Sequence, residues 1–286
     1  MAATSGNLPA SKPKIVIDDL VSKCPERDII FKPTTEDGSS IVDAVKQIIA
    51  LTTAAAIEAA AVKGPPPHKK YSSRVDALWL HLGTVNAVLI ALGKRIPHDQ
   101  QSKLVEFTAH LQQARVSDPT NVGILSFEGR RVWLDMPYLS RNFADVSLRD
   151  SGDCMIDQRN IDFANLTAFL AQLAEIKFMT YHESIDWNLF SLQCIFREDH
   201  QVTKQDIRVA CMWLIYAPEK VWTDIQLGRK IDIPVKINQF KPEFWPKWKE
   251  FLQGLLDRPT DAAKDQDIQD LMQRALQSMN NTEATK

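Results

Sequence analysis

Residues 77–93 read Ala77-Leu78-Trp79-Leu80-His81-Leu82-Gly83-Thr84-Val85-Asn86-Ala87-Val88-Leu89-Ile90-Ala91-Leu92-Gly93, seventeen positions without one Asp, Glu, Lys or Arg. Leu78, Leu82, Val85 and Leu89 share one helical face, while Trp79, Leu80, Ala87 and Leu92 occupy the others. A helix that is apolar all round must be wrapped by other helices or by lipid. The run is shorter than the roughly 20 apolar residues of a membrane span and contains His81, Gly83 and Asn86. The stretch therefore predicts the buried centre of an all-helical domain, a helix over residues 73–92 capped by Ser72 or by Ser73 with Asp76 at N3.

Outward from it, the same logic finds more helices. Ser40–Lys63 keeps helical spacing through Ile41, Val45, Ile48 and Thr52 and stops at Gly64 and three prolines. Pro97 opens a helix to Arg115. Residues 161–180, 183–197 and 204–217 are three helices in close succession. Leu166, Phe169, Leu170, Leu173 and Ile176 mark the first of them, and Thr203 is the N-cap of the last. Pro218 starts a short helix closed by Gly228, and Phe244–Leu256 and Asp265–Met279 complete the set. Val132–Leu134 and Pro137–Leu148 read as short helical pieces, and residues 117–130 as a loop and possible subdomain break. The prediction is an all-α fold, an antiparallel helical array around helices 73–92 and 204–217. Residues 39–280 form one domain, preceded by a segment 1–38 that is mostly disordered or extended.

Composition excludes more than it assigns. A net charge of −2 gives no long-range attraction for nucleic acid or anionic lipid. The four cysteines Cys24, Cys154, Cys194 and Cys211 have no CxxC spacing, so neither a disulfide framework nor a zinc site is expected. Residues 1–14 lack the apolar region of a signal peptide, which predicts an intracellular chain, cytoplasmic or nuclear.

The usual catalytic signatures are missing. Aspartates that hold Mg²⁺ against a pyrophosphate must lie one helical turn apart. Asp18-Asp19 has no such partner, and Asp265, Asp267 and Asp270 belong to a polar helix. His182-Glu183 lacks the second histidine of a zinc hydrolase, since position 186 is Asp. No GxSxG, Walker-type loop or GxGxxG occurs. No metal, cofactor or catalytic residue is expected.

The candidate pocket residues are His81, an imidazole in the most apolar helix, and Asn86, a buried amide that must find a partner. The commoner fate of such a histidine is a core residue bonded to a hydroxyl or backbone group. Residues 240–251 interleave Lys with Phe and Trp as single-strand or lipid binders do. However, Phe244, Trp248 and Phe251 fall at i, i+4 and i+7, the spacing of a docking helix. Trp79, Trp133, Phe163, Trp187, Trp213, Trp245 and Trp248 are read as structural anchors.

Five motifs recur in a recognisable order: Leu78-Trp79; Val132-Trp133-Leu134-Asp135-Met136-Pro137; Phe163-Ala164-Asn165-Leu166-Thr167-Ala168-Phe169-Leu170-Ala171; Ala210-Cys211-Met212-Trp213-Leu214; and Trp245-Pro246-Lys247-Trp248. Over roughly residues 72–256 the series resembles a large family of fungal proteins catalogued only as a domain of unknown function. Family members usually place Trp where Phe163 stands. The resemblance implies an all-helical intracellular fungal protein with some relatives in secondary-metabolite gene clusters, and it carries over no catalytic residue.

Two functions fit. One is a non-catalytic module for a protein partner or a regulatory role, with Ile268, Leu271, Met272 and Leu276 of the last helix as contact surface. The other is a small-molecule binder or accessory enzyme of fungal metabolism with an apolar pocket between helices. Neither a nucleic-acid partner nor a membrane span is expected, and the oligomeric state is not legible.

Overall fold

The computed structural model describes residues 24–36, 38–61, 77–137, 139, 142, 157–176, 192, 202–229 and 239–285. Among these lie nine helices: α1 Pro25–Thr35, α2 Ile41–Ala61, α3 Ala77–Arg95, α4 Ser102–Gln113, α5 Asp157–Glu175, α6 Lys204–Tyr216, α7 Pro218–Gln226, α8 Phe244–Asp257 and α9 Gln266–Ala284. Among the described residues the fold is all-helical apart from one small hairpin, β1 Ser126–Phe127 against β2 Arg130–Arg131.

The first layer is α1, α2 and α3. Glu26 of α1 meets His81 near the start of α3, and Lys103, in the first turn of α4 where the chain leaves α3, donates to the Glu36 carbonyl after α1. The two helices therefore run the same way. The short connection 36–40 sends α2 back antiparallel to both. Thr52 in the second half of α2 consequently lies level with His81.

The second layer is α5, α6 and α9. Helix α5 crosses the C-terminal half of α3 at Gly93, where an added Cβ would lie 2.8 Å from Phe169 Cδ1 and 3.1 Å from Leu166 Cδ1. Only glycine permits that approach. Helices α6 and α9 run parallel, as Lys204–Asp265, Arg208–Asp267 and the Ser278 hydroxyl on the Ile215 carbonyl show. Consecutive helices double back, but these two are separated by α7 and α8 and share a direction. Thr203 caps α6 in a reciprocal box with Asp206, as its sequence predicts. Ile207 and Val209–Leu214 of α6 are all buried. There burial pushes the Cys211 thiol up to about 12.

Several expectations need correction. Residues 25–35 are helix, not disordered or extended chain. Pro25 occupies the first helical turn, where a missing N–H costs nothing, and Pro33 falls near the end. Val132–Leu134 is not helical: Trp133 and Met136 have φ of 63° and 41° in a tight loop after the hairpin. The apolar face of α9 is no free surface, because Ile268, Leu271, Met272 and Leu276 are buried in the core.

Trp79 is 42% exposed, not a core anchor. Helix α5 packs against the second half of α3 at Gly93, and in the first turn Leu78 is buried while Trp79 and Leu80 face outward. Trp133, Trp213, Trp245 and Trp248 are buried, and Phe163 is partly buried against the core. Among the described residues the buried Trp245 N–H has no hydrogen-bond acceptor, and its ring meets that of Trp222 edge-on at 5.0 Å. Trp187, the helix read over 183–197 and the Ser72 and Ser73 caps lie outside the described residues.

Candidate functional site

His81 sits at the centre of a sealed polar chain. Its Nδ1 lies 2.8 Å from Glu26 Oε1 and its Nε2 3.0 Å from the Thr52 hydroxyl. The Thr52 hydroxyl donates to the Ile48 carbonyl at 2.7 Å and accepts the Trp133 indole N–H at 3.0 Å. Three helices and one loop thus converge on four side chains. Helix α2 supplies the hydroxyl because a threonine can bond the carbonyl one turn back without leaving its helix.

The loop aims the indole. Glu128 and Gly129, both at positive φ, close the two-residue hairpin turn. Asp135 then accepts from the Arg131 backbone N–H at 2.7 Å and from its guanidinium, which holds the Asp135 carboxyl below its ordinary value. Between them Trp133 takes a left-handed conformation that costs a bulky residue about 1–3 kcal/mol.

Glu26, His81 and Thr52 stand in the order acid, imidazole, hydroxyl familiar from acyl transfer. Their proton count argues against that chemistry. With its one proton on the Ile48 carbonyl, Thr52 accepts from both Trp133 and His81, so the imidazole Nε2 donates and finds no hydroxyl proton to take. The other imidazole nitrogen is taken up by the Glu26 carboxyl. Burial raises the Glu26 carboxyl, but the hydrogen bonds from His81 and from its own backbone outweigh it, leaving the group below its ordinary value. Thr52 and Trp133 are fully buried. The Thr52 hydroxyl and the Trp133 indole are closed to a substrate, and the chain is a clasp between α1, α2, α3 and the loop.

Asn86 faces elsewhere. Its amide donates to the Pro137 carbonyl at 2.8 Å, and its own oxygen is buried with no partner among the described residues. His81 and Asn86 share no partner, and neither lines the cleft of about 330 Å³ between α1 and α2, which is bordered by Asp28, Lys32, Ser40, Asp43 and Gln47. Among the described residues no group of three or more His, Cys, Asp or Glu could hold a metal ion.

A second histidine cluster escaped sequence reading. Just past α3, His98 Nδ1 lies 2.7 Å from the Tyr216 hydroxyl of α6, with the rings edge-on. The Arg274 guanidinium of α9 interacts with that hydroxyl. Beneath, buried amides tie down the end of α3. Gln101 donates to the Gly93, Ile96 and Asn165 carbonyls, Asn165 donates to the Lys94 carbonyl, and the Asn165 oxygen accepts the His98 backbone N–H. These amides satisfy carbonyls that a helix end leaves open. Burial, with Arg274 adding to it against Asp99, lowers His98 from its ordinary value; burial raises Tyr216. No local motif joins residues 98, 216 and 274.

The third feature is apolar. Ile57 near the end of α2 and Trp79 and Leu80 in the first turn of α3 are 54%, 42% and 56% exposed. Because α2 and α3 are antiparallel, all three stand at one end of the pair. Both helices are long and apolar enough to cross a membrane by length and composition, and 56% of the α3 window but only 28% of the α2 window is buried within the protein.

Fold and site together define an all-helical protein with a sealed polar clasp in its first layer and exposed apolar side chains at one end of it. Residues 87–252, more than half of the chain, match the family described as "Protein of unknown function (DUF3632)", and the chain belongs to that family. No curated protein and no solved structure matches it.

Proposed function

We propose that this chain is a non-catalytic intracellular interaction module of fungal origin, which captures a protein partner at the apolar end of the α2–α3 pair. The observation that carries the reading is the exposure of Ile57, Trp79 and Leu80 at one end of the α2–α3 pair. Exposed apolar side chains gathered at one place mark contact sites, while singly scattered ones do not. The hydroxyl and imidazole that would serve a reaction are locked inside the clasp. The sequence joining α2 to α3 adds Lys63, Lys69, Lys70 and Arg74 with no acid before Asp76, so the partner presents acidic groups around an apolar anchor.

The test is native mass spectrometry of the full chain purified from a fungal host, beside a Leu80→Glu variant. The parent carries a second polypeptide, another copy or a different protein, and the variant has lost it. A releasable small molecule that survives Leu80→Glu overturns the reading in favour of a ligand-binding accessory protein or enzyme of fungal metabolism. Binding to anionic vesicles in place of any polypeptide overturns the choice of a protein partner.

A further inference from the structure

His98, Tyr216 and Arg274 come from the turn after α3, from α6 and from α9, and they meet where solvent reaches. His98 and Tyr216 are partly exposed and Arg274 is exposed. Their hydrogen bonds are unbalanced. A guanidinium only donates, and the Arg274 charge acts on the phenol, so the Tyr216 oxygen turns its lone pairs toward Arg274 and its own proton toward His98 Nδ1. The imidazole proton then sits on Nε2, which has no partner among the described residues. Arg274 forms no ion pair among the described residues either. The cluster therefore presents N–H donors and no free acceptor except the carboxylate of Asp99, which adjoins His98 and whose charge reaches both rings.

The donors are also held in place. The His98 backbone is fixed on both sides, its N–H by Asn165 at 3.1 Å and its carbonyl by Gln172 at 3.4 Å. Gln172 in turn bonds Gln101, the amide that binds the end of α3. Fixed donors beside a cation bind an oxyanion with little reorganisation.

We propose that His98, Tyr216 and Arg274 form a binding site for a small oxyanion, the carboxylate or phosphate of a soluble ligand. Arg274 takes two of its oxygens or one, His98 Nε2–H takes another, and Tyr216 relays the positive charge to the imidazole. Asp99 opposes the anion and limits its affinity. The site is independent of the apolar end of α2–α3, so either can fail without the other.

The experiment is a calorimetric and thermal-melt titration of the full chain with sodium phosphate and with sodium acetate, each at ionic strength held constant with chloride. The parent shows a saturable rise in melting temperature with at least one of the two anions, accompanied by movement of the His98 imidazole ¹⁵N signals. Arg274→Gln weakens binding about tenfold or more, the loss expected for one charge-assisted hydrogen bond. Asp99→Asn tightens it, and Tyr216→Phe keeps binding but weakens it. Phosphate alone, acetate alone or both raising the melt supports the site and identifies the acid. Identical melts in phosphate, acetate and chloride overturn it, as does an Arg274→Gln response equal to the parent's.

Discussion

Helix α3 has a histidine near each end, and the two could hardly be used more differently. His81 is closed in by Glu26, Thr52 and Trp133, with every donor matched to an acceptor. His98 also meets a hydroxyl, that of Tyr216, but its other nitrogen and the neighbouring Arg274 are left with protons to give. Same imidazole and same kind of partner, yet one group is a structural clasp and the other a place for a ligand. Access and hydrogen-bond balance, not residue type, separate them.

The comparison breaks most visibly in stability. Trp133→Ala should cost about 3–5 kcal/mol in urea unfolding, as the loss of a fully buried large aromatic does. Glu26→Gln should cost a similar amount, about 3–5 kcal/mol, because it strands half of a buried pair. Tyr216→Phe should cost only about 0.5–1.5 kcal/mol, the value of one partly exposed hydrogen bond. Should Tyr216→Phe match Glu26→Gln, the second cluster is as structural as the first.

Between these extremes lies Gly93→Ala. Alanine favours a helix, but here its methyl meets Phe169 at 2.8 Å and Leu166 at 3.1 Å, so a net loss of about 1–3 kcal/mol follows from overpacking. Trp79→Ala, on the exposed first turn of the same helix, should cost about 1 kcal/mol or less. Equal melting temperatures for Trp79→Ala and Trp133→Ala would contradict the burial of one and the exposure of the other.

The smallest effect is in pH. His98 titrates below its ordinary value of 6.5, so the unfolded chain takes up the proton first. Its contribution is complete above about pH 6.5 and is lost as pH falls through the folded value. Glu26, lowered from 4.5, contributes above that value and loses its contribution only in stronger acid. Urea midpoints from pH 7 to 3 should therefore flatten first in His98→Gln, near pH 6, and only below about pH 4.5 in Glu26→Gln.

Much of the fold was legible because it is local. The uncharged run 77–93, the Thr203 cap and Pro218 after α6 are each read within a few residues. Helix α1 was missed because two prolines eight positions apart look like breakers until one falls in the first turn and the other near the last. Trp79 was misplaced because a composition apolar all round says nothing about how far a covering helix extends. His81 itself was visible, but its partners Glu26 and Trp133 lie far off in the chain and no periodicity connects them. The trio 98, 216 and 274 is more remote still, assembled by the parallel run of α6 and α9.

Cys211 turns one of these helices into a clock. Buried in α6 with its thiol pushed up to about 12, it is almost entirely protonated at neutral pH and closed to reagents. It can be alkylated only when the α5–α6–α9 layer separates. The rate at which an alkylating reagent adds mass to that one residue therefore times the spontaneous opening of the layer, without any residue being substituted. Followed with and without phosphate, the same rate reports whether an anion held between α6 and α9 keeps that layer shut.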